Sequence, residues 1–127
     1  MKLHESGEDY LEMILMLQKE KGSVRSIDVA TAMNFSKASV SRAMSILKKE
    51  GFLIMEKSGE LVLTEKGHKR ANEVLDRHRC ITKYIHLVLG VDLAIADHDA
   101  CRIEHIISPE TFAKIKEKLT ILENTTK

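Results

Sequence analysis

Near the C-terminal end of this 127-residue sequence, three kinds of metal-ligating side chain recur at helical spacing. In Cys101-Arg-Ile-Glu104-His105, a thiol, a carboxylate and an imidazole stand at i, i+3 and i+4. On an α-helix these positions share one face, within an arc of roughly 100°. Asp97 and His98 project to the same side one turn earlier. Thiolate, carboxylate and imidazole all ligate borderline divalent transition metals, so three on one face make half a site. Alone, the same motif equally describes a solvated Glu–His pair beside a buried free cysteine. Asp9 and Glu12 lie one turn apart at the edge of an apolar stripe, where carboxylates either attract a cation or sit exposed near a helix N-terminus. His78 falls among Ala71, Val74, Leu75, Ile81 and Ile85, as a satisfied core histidine or as a further ligand.

A second constellation suits a polyanion. Ser41, Arg42 and Ser45 lie on the outer face of one predicted helix with Ala38 and Lys49, and Ser39 belongs to the same helix. The serines are short enough to let that helix enter a major groove, and the arginine presents a forked donor to base edges. Lys37, Lys48, Lys49 and Lys57 suit phosphates, and Arg25 and Ser36 stand at the ends of the same motif. Residue by residue this is also the solvated face of any amphipathic helix. The grouped arrangement is what predicts double-stranded DNA. Residues 23–70 carry nine basic and five acidic residues, whereas the segments on either side are net acidic, so the positive field sits where the polyanion is met.

Such side chains need a scaffold, and the sequence marks one. Ser6 to Lys21 is an apolar-striped helix, with Ser6 as its expected cap and Gly22 as its stop. Ser26–Met33 is a short helix capped by Ser26, Asn34-Phe35 a tight break, and Ser36 the cap of a third helix that runs to about Glu50. In that helix Val40, Ala43, Met44 and Leu47 form the inward face. Residues 52–63 read as a hairpin turning at Ser58-Gly59, the wing of a winged helix. Thr64 caps a long helix to about Leu89; a further helix covers roughly Asp92 to Ile107, and Ser108-Pro109 restarts the chain into a last helix to about Glu123. The expected fold is therefore mainly α: a winged helix-turn-helix with a two-stranded wing over 1–70, and an all-helical domain over 71–127. No apolar run approaches the roughly 20 residues of a membrane span, the N-terminus lacks the apolar region of a signal peptide, and two cysteines are too few for a disulfide scaffold. A cytoplasmic protein with no membrane partner is the expectation.

In their joint order, Glu8-Asp-Tyr-Leu-Glu12, the helix-turn-helix, Leu61-Val-Leu-Thr-Glu-Lys-Gly67, Arg77-His78 and Ala100-Cys-Arg-Ile-Glu-His105 resemble the metal-dependent repressors of the diphtheria toxin repressor and manganese transport regulator type. The resemblance covers essentially the full length. It implies a homodimer with a winged helix, a helical metal-binding and dimerisation domain, and a divalent metal as co-repressor. By position, Asp9, Glu12, His78, Cys101, Glu104 and His105 match the family's ligands. Manganese-type members resemble this chain at Asp9 and Glu12 but carry glutamate at the place of Cys101. Iron-type members resemble it at Cys101 but carry methionine at the place of Asp9. In the latter's ancillary site, glutamate stands where this chain has Thr82, and histidine where it has Asp97. The resemblance also implies that the SH3-like domain of longer members is missing here.

The function so implied is a DNA-binding repressor of metal-uptake genes. Mn(II) or Fe(II) is the co-repressor, Co(II) and Zn(II) are substitutes in vitro, and a palindromic operator is the partner. A cation held by Asp9 and Glu12 together with His78, Cys101, Glu104 and His105 would favour one placement of the reading heads. Adjacent-turn half-sites lie about 34–36 Å apart. Metal binding would weaken below about pH 6, where imidazole is protonated. A rival reading makes the chain a winged-helix regulator of an organic ligand or oxidant acting through Cys101 or Cys80. An enzyme built on the metal cluster or on Cys101-His105 would need an open cleft, and ligands on packed helices do not provide one, so neither catalysis nor a small organic substrate is expected.

Overall fold

The apolar stripe of α1 (Glu5–Lys21) makes it a core helix: Tyr10, Leu11, Ile14, Leu15 and Leu17 are all buried in the computed structural model, which describes residues 5–125. Ser6 lies inside this helix rather than at its cap, because the helical conformation already includes Glu5. Gly22 closes it at φ 86°, donating its N–H to the Gln18 carbonyl at 2.9 Å. Contacts divide the chain into two units, one ending at Glu73 and the other starting at Val74.

In the first unit, α2 (Ser26–Met33) begins one residue earlier than Ser26-capping predicts. Asp28 decides this by accepting the Arg25 N–H at 2.9 Å while pairing with the Lys21 ammonium at 2.6 Å, so Arg25 takes the cap position. The turn to α3 uses Asn34 at φ 57°, with the Phe35 N–H donating to the Ala30 carbonyl at 3.0 Å. Phe35 stands edge-on to Tyr10, ring centres 6.1 Å apart. Helix α3 (Lys37–Lys49) starts where Ser36 Oγ accepts the Ser39 N–H at 3.1 Å. Val40, Met44 and Leu47 are buried on its inner face; Ala43 is half-buried. Fully burying residues of this size contributes about 1.5–3 kcal/mol each.

The hairpin joins β1 (Leu53–Met55) to β2 (Leu61–Leu63), antiparallel, with Leu53 opposite Leu63 and Met55 opposite Leu61. Leu53, Leu61 and Leu63 turn inward while Ile54 is exposed, the alternation of a one-faced sheet. A bridge between Arg25 and Glu60, with the Leu61 N–H donating to the Val24 carbonyl at 2.7 Å, adds a rung that sequence periodicity does not show. Helix α4 (Glu65–Leu87) is capped by Thr64, whose Oγ1 accepts the Gly67 N–H at 3.1 Å and donates to the Gly51 carbonyl at 2.7 Å. Gly67 has a steric reason to be glycine: a Cβ there would collide with the Phe52 carbonyl oxygen. Lys66 Nζ donates to the Glu50 carbonyl at 2.9 Å and lies 4.3 Å from the centre of the Phe52 ring. Buried Glu8 is held by Arg70 at 3.3 Å.

In the second unit, Ile81 and Ile85 of α4 form a core with Ala96 and Ala100 of α5 (Leu93–Ile103), and Val91, Ile103, Ile107 and Phe112 pack against it. The two alanines sit four residues apart and are fully buried, so α5 approaches α4 closely. Helix α5 is shorter than its predicted span of Asp92 to Ile107. Asp92 caps it, and the Ile106 and Ile107 N–H groups both donate to the Ile103 carbonyl at 3.0 Å, tightening the chain into a turn. That turn brings Ile107 and Phe112 back onto the core, which continued helix would not. Ser108 caps α6 (Pro109–Thr125) as its sequence signal predicts, accepting the Thr111 N–H at 3.1 Å. Lys116 of α6 pairs with Asp76 of α4 at 2.8 Å.

Candidate metal centre and nucleic-acid interface

Around His78, the second unit gathers four of the side chains singled out by spacing. Both nitrogens of the ring meet carboxylates: Nδ1 stands 3.0 Å from Glu104 Oε2, and Nε2 stands 2.7 Å from Asp97 Oδ1. Cys101 Sγ lies 3.8 Å from Nδ1. His78, Asp97 and Cys101 can each bring one ligand atom within 4.8 Å of the others. Glu104 Oε1 has His105 Nε2 at 3.4 Å, too long for a well-formed hydrogen bond, and is without one among the described residues. The side chains of Glu104 and His105 are 0% and 1% exposed. A buried carboxylate oxygen without a donor costs free energy unless a cation meets it, and thiol, imidazole and carboxylate together suit a divalent transition metal.

The helical-face geometry expected for 101–105 changes in detail. Glu104 is the C-cap of α5, with φ −58° and ψ −23°, and His105 falls in the turn beyond. Near-helical backbone at the cap still points Glu104 the way Cys101 points. His98 departs from the group: its side chain is 77% exposed and its Nδ1 lies 4.0 Å from Asp99. Asp97, one residue earlier, is the one that meets His78, where spacing alone had assigned both to that side. Cys80 has its thiol pushed up by burial and by the Asp76 carboxylate, which disfavours the thiolate that oxidation needs; Cys101 is exposed. In the first unit, Asp9 and Glu12 are half-buried beside the buried stripe of α1.

On α3, Lys37, Ser39, Ser41, Arg42, Ser45, Lys48 and Lys49 are all exposed, and Lys57 is exposed at the wing turn. Two of the expected DNA contacts have structural duties as well. Ser36 is engaged as the cap of α3 and donates from its Oγ to Ser39 Oγ at 2.9 Å. Arg25 caps α2, and its guanidinium lies against Gly59, where a Cβ would come within 2.8 Å of it. The expected contacts concentrate on α3, but Ser26 and Ile27 of α2 line one cleft of about 260 Å³ with Lys37 and Ser41. Ile46 is exposed on α3 too, an apolar side chain able to meet a thymine methyl. Their signal in sequence is slight, because a serine or isoleucine next to a helix start reads equally well as cap or core.

Residues 2–61 match the N-terminal DNA-binding domain of iron-dependent repressors, and residues 64–125 match the metal-binding and dimerisation domain of the same repressors. The chain is 31% identical over 115 residues to an uncharacterized HTH-type transcriptional regulator of Methanocaldococcus jannaschii, covering 90% of this chain and 92% of that one. It is similar to the crystal structure of T. acidophilum IdeR, with a TM-score of 0.78, 26% identity, and 89% of this chain matched to 53% of that one. It is also similar to a manganese-dependent transcriptional repressor in complex with manganese, with a TM-score of 0.82, 25% identity, and 90% of this chain matched to 52% of that one. The chain thus spans about half the length of these two solved proteins.

Proposed function

The chain belongs to the family of metal-dependent transcriptional repressors typified by the diphtheria toxin repressor and the manganese transport regulator, and on that premise we propose that Mn(II) or Fe(II) is its co-repressor for metal-uptake genes. The observation that carries this reading is Glu104: a fully buried carboxylate with one oxygen that finds no hydrogen bond among the described residues, beside His78 and Cys101. His78, Cys101, Glu104 and His105 would hold the ion, with Asp9 and Glu12 as the remaining ligands on grounds of residue type and family position. A bound divalent cation supplies the positive charge that the buried carboxylate lacks. Cys101 softens a donor set otherwise suited to Mn(II) and extends it towards Fe(II), Co(II) and Zn(II).

The reading head is α3, with Ser39, Ser41, Arg42 and Ser45 towards base edges and Lys37, Lys48, Lys49 and Lys57 towards phosphates, joined by Arg25 and Ser36. We place the boundary between the DNA-binding and the metal-binding and dimerisation domains near residue 70. Exposed Leu87, Val88, Leu89, Leu93 and Ile95 favour a homodimer, since apolar surface of this kind is usually covered. A two-fold dimer reads a palindromic operator. Among the described residues no helix is long and apolar enough to cross a membrane, and the proposed location is the cytoplasm. The ion's differential affinity for the DNA-competent arrangement is what shifts the population.

The test is a DNA-shift titration against Mn(II), Fe(II), Co(II) and Zn(II), with and without chelator, on the wild type and Glu104→Ala. Metal should tighten operator binding in the wild type, chelator should reverse it, and the variant should not respond. Equal binding in every lane would overturn the co-repressor reading. Cys101→Glu should move selectivity towards manganese, and unchanged selectivity would remove the thiol from the ligand set.

A further inference from the structure

Two side chains of α5 address different nitrogens of one imidazole. Cys101, with Glu104 beside it, faces Nδ1 of His78, at 3.8 and 3.0 Å; Asp97, one turn earlier on α5, faces Nε2 at 2.7 Å. A neutral imidazole offers a lone pair from one nitrogen while the other keeps its proton. The surroundings of the two nitrogens differ. At Nδ1 a thiol and a fully buried carboxylate converge, and the second oxygen of that carboxylate has no hydrogen bond among the described residues. At Nε2 stands a carboxylate whose side chain is 60% exposed, at a distance typical of a charge-assisted hydrogen bond.

We infer that Asp97 is a positioning residue of the metal centre: it holds the Nε2–H of His78, so that Nδ1 presents its lone pair to the ion shared with Glu104 and Cys101. The inference rests on the metal-binding reading above. A carboxylate that accepts from the distal N–H of a ligating histidine fixes its tautomer and ring orientation and raises its basicity. Asp97 therefore acts through His78 and does not itself ligate.

The experiment loads ¹⁵N-histidine-labelled protein with Zn(II) or Cd(II), both diamagnetic, and reads the His78 ring by long-range ¹H–¹⁵N correlation. Affinity for the same ions is measured by competition with a chelating dye, and helicity by circular dichroism. The expected result is Nδ1 carrying the metal and Nε2 the proton in the wild type. Asp97→Ala should bind about 10–100-fold more weakly with unchanged helicity. Asp97→Asn, whose amide oxygen still accepts from Nε2–H, should recover most of the affinity, and His98→Ala should match the wild type. Metal on Nε2, or undiminished affinity in Asp97→Ala, would overturn the role of Asp97 while leaving the repressor reading standing. A wild type that takes up no ion would overturn both.

Discussion

Asp28, Ser36 and Thr64 each close a helix start in the winged-helix region, accepting backbone N–H groups at 2.9, 3.1 and 3.1 Å. Buried Glu8 has its arginine there. In the helical region, Glu104 is buried more deeply still and has one oxygen without a hydrogen bond among the described residues, with histidine and thiol beside it. One region satisfies these groups from within its own sequence. The other closes its helix starts too, with Asp92 and Ser108, yet leaves this one buried carboxylate oxygen without a hydrogen bond among the described residues.

The sharpest way to break this contrast is steric. Gly67→Ala places a methyl against the Phe52 carbonyl, and the winged-helix region should lose about 3 kcal/mol, read by urea unfolding. A loss near zero would show that the α3–β1–α4 junction yields and is not as complete as described. Next in size, Arg42→Ala should cost about 2 kcal/mol of operator affinity and relax preference at one base position, measured by competition binding. Lys48→Ala should weaken all sequences alike and lower the salt slope by about one. Changes in sequence preference from Lys48 alone would reverse their roles.

Two smaller effects sharpen the difference from either side. Glu104→Gln removes the buried charge and keeps the volume, so the metal-free protein should gain about 1 kcal/mol in thermal unfolding, and added metal should no longer raise Tm. Ser36→Ala should do the reverse in the other region, losing about 1 kcal/mol with the metal-dependent shift retained. The smallest effect is one of pH. The Lys21 ammonium, together with the Arg25 N–H, holds the Asp28 carboxyl below its ordinary 3.8. Since the folded value is the lower one, this contact stabilises the protein above the ordinary value, and its contribution fades as pH falls through the folded one. Asp28→Asn should flatten the acid limb of the stability profile below about pH 4, and an unchanged limb would dismiss the contact.

Much of this architecture is written locally. Ser36, Thr64 and Ser108 announce their helix starts through side chains that bond backbone three residues away, and Asn34 ends α2 by taking a left-handed backbone. The wing follows from strand formers on either side of Ser58-Gly59. Where reading by spacing slipped, distance along the chain was the cause. Asp28 moved the start of α2 by recruiting Lys21, seven residues off. The last turn predicted for α5 gave way because Ile107 and Phe112 are drawn to a core that includes Ile81 and Ile85 of α4.

The residue types able to ligate, the basic exposed face of α3 and the fold class follow from residue identity and short-range periodicity, because capping and amphipathic burial act over a few residues. Which of Asp97 and His98 meets His78, the pairing of each nitrogen of His78 with a separate carboxylate, and the Glu104 oxygen left without a hydrogen bond among the described residues came only with folding. Each depends on which side chains from α4 and α5 meet across a packed interface. That meeting is governed by the small volumes of Ala96 and Ala100 and the direction of two helices, which periodicity along a single chain does not encode.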